Sequence, residues 1–137
     1  MSELRIELRE DRSSYEPGEE LMGTAVWQLS QVPRLVELRL FWFTRGKGTE
    51  DAGVIATTVF DRPVAEETRA FRFRLPEGPY SFSGKLISLI WALELVVQPT
   101  KQVVRREIIL ALDGEEIRLD TLPGNEKSKR LFPWNAR

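Results

Sequence analysis

The chain contains no cysteine and no histidine. Their absence excludes disulfides, thiolate nucleophiles, Cys/His zinc sites, Ser-His-Asp triads and imidazole bases. A charge excess of either sign is also missing: 20 Lys and Arg face 21 Asp and Glu, for a net charge of -1. Neither a nucleic-acid binder's electrostatic footprint nor a polybasic membrane surface is compatible with that balance. No apolar run is long enough to cross a bilayer. The longest, Leu86 to Val97, is interrupted by Glu94. The opening MSELRIELREDR carries no apolar leader core, so no secretory leader is expected and a cytoplasmic location is the default.

What is present is a chain of 137 residues that is 42% hydrophobic, a length and composition suited to one globular domain with its own core. Its apolar period is two almost throughout. Leu4, Ile6 and Leu8 alternate with Arg5, Glu7 and Arg9. Leu21, Ala25, Trp27 and Leu29 share one face of the next strand; Val36, Leu38, Leu40 and Trp42 share one face of the following one. Val54 to Phe60 is a β-branched run whose inner face is ambiguous, and Phe71, Phe73 and Leu75 alternate with arginines. Lys85 to Val97 reads as the longest strand, with Ile87, Leu89, Trp91, Leu93, Leu95 and Val97 directed to the core, and Val103 to Leu112 follows it. Turn signals fall between these runs, at Pro17-Gly18, Arg45 to Asp51 and Asp113-Gly114. Ile117 and Leu119 suit one more short strand. Strands at this spacing without helices between them predict an antiparallel sandwich or barrel, and two long, very apolar strands favour the sandwich. Residues 1–122 are expected to form the domain and residues 123–137 a tail.

The stretch Tyr15-Glu16-Pro17-Gly18-Glu19, followed by Gly23 and an alternating strand, resembles the early Y-x-P-G-E … G segment of the arrestin-like superfamily. PEGPYSFSGKLISLIWALELVV, from Pro76 to Val97, is similar to that family's Pro, Ser and Gly segment leading into a long strand with a central aromatic, here Trp91. The resemblance spans about Leu4 to Leu112, one arrestin-type domain where members usually carry two. It implies an all-β, immunoglobulin-like antiparallel β-sandwich of the arrestin type, and a non-enzymatic adaptor or scaffold role. The basic residues with which arrestins read phosphate on their first strand are not clearly matched, because Glu7 lies between Arg5 and Arg9.

Candidate chemistry is sparse. Arg45-Gly46-Lys47-Gly48-Thr49 has the glycines and cations of an anion-binding loop, with Arg45 and Lys47 as the candidate residues, but lacks Walker spacing and a following helix. A polar connection between strands explains it better. Arg69, Arg72, Arg74, Arg105 and Arg106 suggest a basic patch, yet alternating arginines on a strand are ordinarily its solvated face. Asp113-Gly114-Glu115-Glu116 lacks the ligand spacing of a calcium loop and suits a hairpin turn. No pair of carboxylates is nominated for hydrolysis, so no enzymatic role, metal or cofactor is expected. Trp27, Trp42 and Trp91 are in phase with core positions, which leaves sugar or small-ligand binding as the alternative function.

The phase of the long strands carries a further expectation. With Val36, Leu38, Leu40, Trp42 and Trp91 facing inward, Phe41, Phe43, Ile90, Ala92 and Ile109 face outward and compose an apolar patch on one sheet. Such a patch marks contact with something. A homo-oligomer and an unidentified protein partner are expected, with the tail residues Leu131, Phe132 and Trp134 as a second apolar element that docks on this domain, on another subunit or on a partner.

Overall fold

The computed structural model describes residues 2–46, 51–84, 87–112 and 117–118. The tail residues Leu131, Phe132 and Trp134, Lys47 of the glycine-rich loop and the acidic turn 113–116 lie outside them.

Ten strands are seen among the described residues: β1 (Glu3–Leu8), β2 (Ser14–Tyr15), β3 (Glu20–Gln28), β4 (Leu35–Gly46), β5 (Ala52–Val59), β6 (Glu66–Arg74), β7 (Phe82–Ser83), β8 (Ile87–Gln98), β9 (Gln102–Leu110) and β10 (Ile117–Arg118). One 3-10 turn, Arg9–Asp11, follows β1. The smaller sheet has the order β1-β3-β6. In the larger, β5, β4, β8 and β9 are successive neighbours, with β7 also on β8. All long ladders are antiparallel; the two-residue strands β2 and β10 pair in parallel with β9 and β7. The fold is therefore an all-β sandwich.

The period-two pattern builds the core directly. Ile6, Leu8, Leu21, Ala25, Trp27, Phe71 and Phe73 from the small sheet meet Val36, Leu38, Leu40, Leu89, Trp91, Leu93, Leu95, Val97, Ile108 and Leu110 from the large one, all buried. Each indole N–H in this dry layer has a carbonyl acceptor: Trp91 Nε1 donates to Pro79 O at 2.6 Å and Trp27 Nε1 to Val64 O at 2.8 Å. Trp42 is only half-buried, at the sandwich margin, where its indole covers Gly53 across the ladder.

The strand expected to run to Leu112 stops at Leu110. Ala111 is buried and Leu112 is 58% exposed, and the Ala111 amide donates to Tyr15 O at 3.0 Å. The ambiguity of β5 has a cause. A β-bulge sets Leu40 opposite Ala56 but Phe41 opposite Val54, so Ile55 is the extra residue and alternation is lost there.

The Tyr15–Gly23 motif is structural. Gly18 has φ of 82°, a region that favours glycine, and closes the turn between β2 and β3. Glu19 accepts the Glu16 amide at 2.8 Å and two guanidinium bonds from Arg12, at 2.6 and 3.0 Å. Those bonds, the guanidinium foremost, hold its carboxyl below the usual range. Arg12 also covers the Tyr15 ring at 4.5 Å, and burial pushes the Tyr15 phenol up. At Gly23 a Cβ would overlap the Glu7 carbonyl oxygen and come within 2.9 Å of the Phe71 ring. Only glycine lets β1 and Phe71 both approach β3 there.

Candidate binding face

The outer face of the large sheet is a grid set by three registers. One row runs Ala52, Phe43, Ile90; the next Val54, Phe41, Ala92, Glu107; the third Thr57, Arg39, Glu94, Arg105; the fourth Val59, Glu37, Val96, Val103. Two rows led by aromatics thus lie beside a row of alternating charge.

Phe41 and Phe43 stack, with ring centroids 5.7 Å apart and planes 26° from parallel. The patch expected to be bare is covered. Arg105, two strands away, lays its guanidinium 5.1 Å from the Phe41 centroid and 4.9 Å from that of Phe43. Arg45 lies 5.4 Å from Phe43. Under this cover Phe41 is only 9% exposed and Phe43 half-buried; of the other patch residues Ala92 is fully buried and Ile90 and Ile109 are half-buried, Ile109 beside β2. The outward phase of these residues stands and their free exposure does not, because long arginine stems fold over apolar surface while their heads stay wet.

Carboxylates hold the cover in place. Glu94 accepts from Arg105 at 2.9 Å and lies 3.8 Å from Arg39, which also bonds Glu37. Glu107 accepts from Arg45 at 3.1 Å. Arg45 is therefore engaged by an acid and a ring. Three arginines and three glutamates leave the face neutral overall. Cation–π contacts and ion pairs at exposed sites are each worth about 0.5–1 kcal/mol. Truncating an aromatic anchor at a single interface hot spot costs about 2 kcal/mol or more, the same order as the contacts that hold either guanidinium.

The other candidates do not converge. Arg72 pairs with Glu20 at 3.3 Å, Arg74 bonds Gly18 O at 3.1 Å and Arg69 bonds Glu67. That pairing, with the Val64 amide, lowers the Glu67 carboxyl below its usual range. Arg106 points inward and ties the sheets together through Ile6 O at 3.1 Å and Asp11 at 2.8 Å. The five arginines form no single patch. Among the described residues no three Asp or Glu side chains gather as a metal site, and every buried polar side-chain atom has a partner. Trp27 and Trp91 are fully buried, so neither offers a face to a sugar. Sequence reasoning missed Arg105 and Glu94 as parts of the Phe41 face. The available signal was the pairing of β8 with β9, which a hairpin turn at Pro99-Thr100 would have placed.

No family model matches the chain, and no curated protein does. A β-glucosidase from Listeria innocua, 14% identical, aligns with 85% of this chain and 16% of its own at a TM-score of 0.46. The sporulation control protein Spo0M from Bacillus subtilis, 21% identical, aligns with 80% of this chain at a TM-score of 0.58. The alignment takes in 49% of Spo0M, so this chain spans about half of that protein's length. The likeness is one of fold: the chain is a β-sandwich of the arrestin type.

Proposed function

We propose that this domain is a non-catalytic regulatory module, an adaptor or scaffold that binds a partner protein on the outer face of its large sheet. The observation that carries the reading is the Phe41–Phe43 stack under Arg105 and Arg45. Aromatic residues and arginine are the types enriched where protein interfaces concentrate their energy. Here they occupy one neutral face, and the guanidinium cover is weak enough to be exchanged for a partner's side chains. The fold likeness to a sporulation control protein supports a controlling role rather than a chemical one.

The test compares proteins cross-linked to the full-length wild type in its host with those cross-linked to a Phe43→Asp, Arg105→Glu double variant. Arg72→Glu, on the small sheet's outer face, serves as control. The expected result is a partner retained by wild type and control and lost by the double variant, with affinity for the purified partner at least about tenfold weaker, or 1.4 kcal/mol. Equal retention by all three proteins refutes the reading, as does a double variant whose far-ultraviolet spectrum shows an intact sandwich and whose partner affinity is unchanged.

A further inference from the structure

Sheet edges invite pairing with other chains, and folded proteins blunt them with charge, proline or a covering segment. The end strands of this sandwich are treated unequally. β1 presents Glu3, Arg5 and Glu7, and β6 presents Glu66, Arg72 and Arg74. The β9 edge is partly occupied by β2. β5, at the other end of the large sheet, reads AGVIATTV, with no charge and no proline over eight residues. Among the described residues no strand pairs with its outer side. Seven large apolar side chains are exposed among the described residues, and three of them, Val54 at 63%, Ile55 at 41% and Val59 at 57%, stand on this strand. Acidic residues flank it at Asp51 and Asp61, outside the run that would pair.

We infer that β5 is a self-association edge: two copies pair their β5 strands antiparallel about a twofold axis through Thr57, joining the large sheets into one. A twofold axis perpendicular to the sheet keeps each outer face on the same side, so outer residues must oppose outer residues. Thr57 is an outer residue, paired with Arg39 on β4. Centring there sets Thr57 against its own copy and Val59 against the bulge residue Ile55 of the other chain, twice. Threonine pairs and β-branched pairs are favourable cross-strand neighbours. An uncharged strand can meet itself without opposing like charges, and it offers a foreign strand no charge pattern by which to be chosen. A second copy is thus the occupant that its composition fits. The joined sheet also continues a surface already described, because Val54 lies beside Phe41 and Ala52 beside Phe43. Each copy's aromatic stack would lie one strand in from the seam.

Sedimentation equilibrium of the full chain tests this. Wild type is expected to approach twice the chain mass of 15.8 kDa as concentration rises through the micromolar range. Thr57→Lys and Thr57→Glu, each opposing its own charge, are expected to weaken the dimer at least tenfold, and an equimolar mixture of the two to restore it. The Phe43→Asp, Arg105→Glu variant should dimerise like wild type, which separates failure of this inference from failure of the partner face. A single-chain mass for wild type throughout overturns the inference, whether residues 119–137 or another protein occupies the edge. So does a Thr57→Lys dimer of undiminished affinity, or a mixture that stays monomeric. Should the variants not fold, amide exchange on wild type decides: protection of Ala56–Val59 that rises with protein concentration supports the pairing, and protection independent of concentration refutes it.

Discussion

An indole in a dry core must still place its N–H, and both buried tryptophans do so with carbonyls of irregular segments, Pro79 and Val64. Trp91 thereby serves two purposes. Its rings fill the space between the sheets at full burial, and its N–H fastens the segment before β7 to the middle of β8. Trp91→Ala should cost about 3–5 kcal/mol through lost burial and a residual cavity. Trp91→Phe keeps most of the volume and removes the donor to the partly buried Pro79 carbonyl, so it should cost about 1 kcal/mol, the net worth of one hydrogen bond. Urea denaturation of the three proteins checks the order. A Trp91→Ala protein within about 1 kcal/mol of wild type would contradict the burial of this side chain.

At the level of elements, the Tyr15–Gly23 stretch decides how the small sheet is assembled. The turn at Gly18 and the carboxylate of Glu19 reverse the chain into β3, and Gly23 then lets β1 and β6 close on both sides. Gly23→Ala places a methyl group against the Glu7 carbonyl, where backbone cannot yield as a flexible side chain would. Overpacking of this kind typically costs about 1–3 kcal/mol. The loss should be local in origin: hydrogen exchange should show β1 amides, Glu3–Leu8, losing protection well before those of β4 and β8. Uniform loss across both sheets, or none, would show that β1 does not depend on this contact.

For the molecule as a whole, the lack of histidine shapes the dependence of stability on pH. Glu19 and Glu67 are lowered by their arginine partners in the folded state. Their contribution is present above the unfolded carboxylate value of about 4.3 and is lost as pH falls through the lower folded values. Tyr15 is raised by burial, so its contribution is present below the unfolded phenol value of about 10 and is lost as pH rises toward the higher folded value. Between these limits no side chain titrates at its ordinary value. The melting temperature should therefore be flat from about pH 6 to about pH 9, and fall on both sides. A step within that plateau, measured by thermal denaturation in matched ionic strength, would contradict the assignment.

Local chemistry determined which segments are strands and which side of most of them is dry. Alternation in β1, β3, β4, β6 and β8 reflects a sheet whose one face excludes water, and that is a property of neighbouring residues alone. The same holds for the turn at Gly18, where a positive φ selects the residue. Other features needed the fold. The bulge at Ile55 arises from pairing with β4, and no residue within β5 announces it. Past the end of β9, Ala111 bonds Tyr15, nearly a hundred residues earlier, a contact its own pattern does not announce. The Phe41–Phe43 face shows the division most clearly. Its outward direction follows from the alternation in β4, but its cover comes from Arg105 and from Glu94, which share a row with Arg39 only through the registers of β4 with β8 and β8 with β9. Alternation is a property of one strand and register a relation between strands. The sequence by itself therefore determined that the aromatic pair points away from the core, with Arg45 on the same face of the same strand, and only the tertiary structure decided that Arg105 of β9 lies over it.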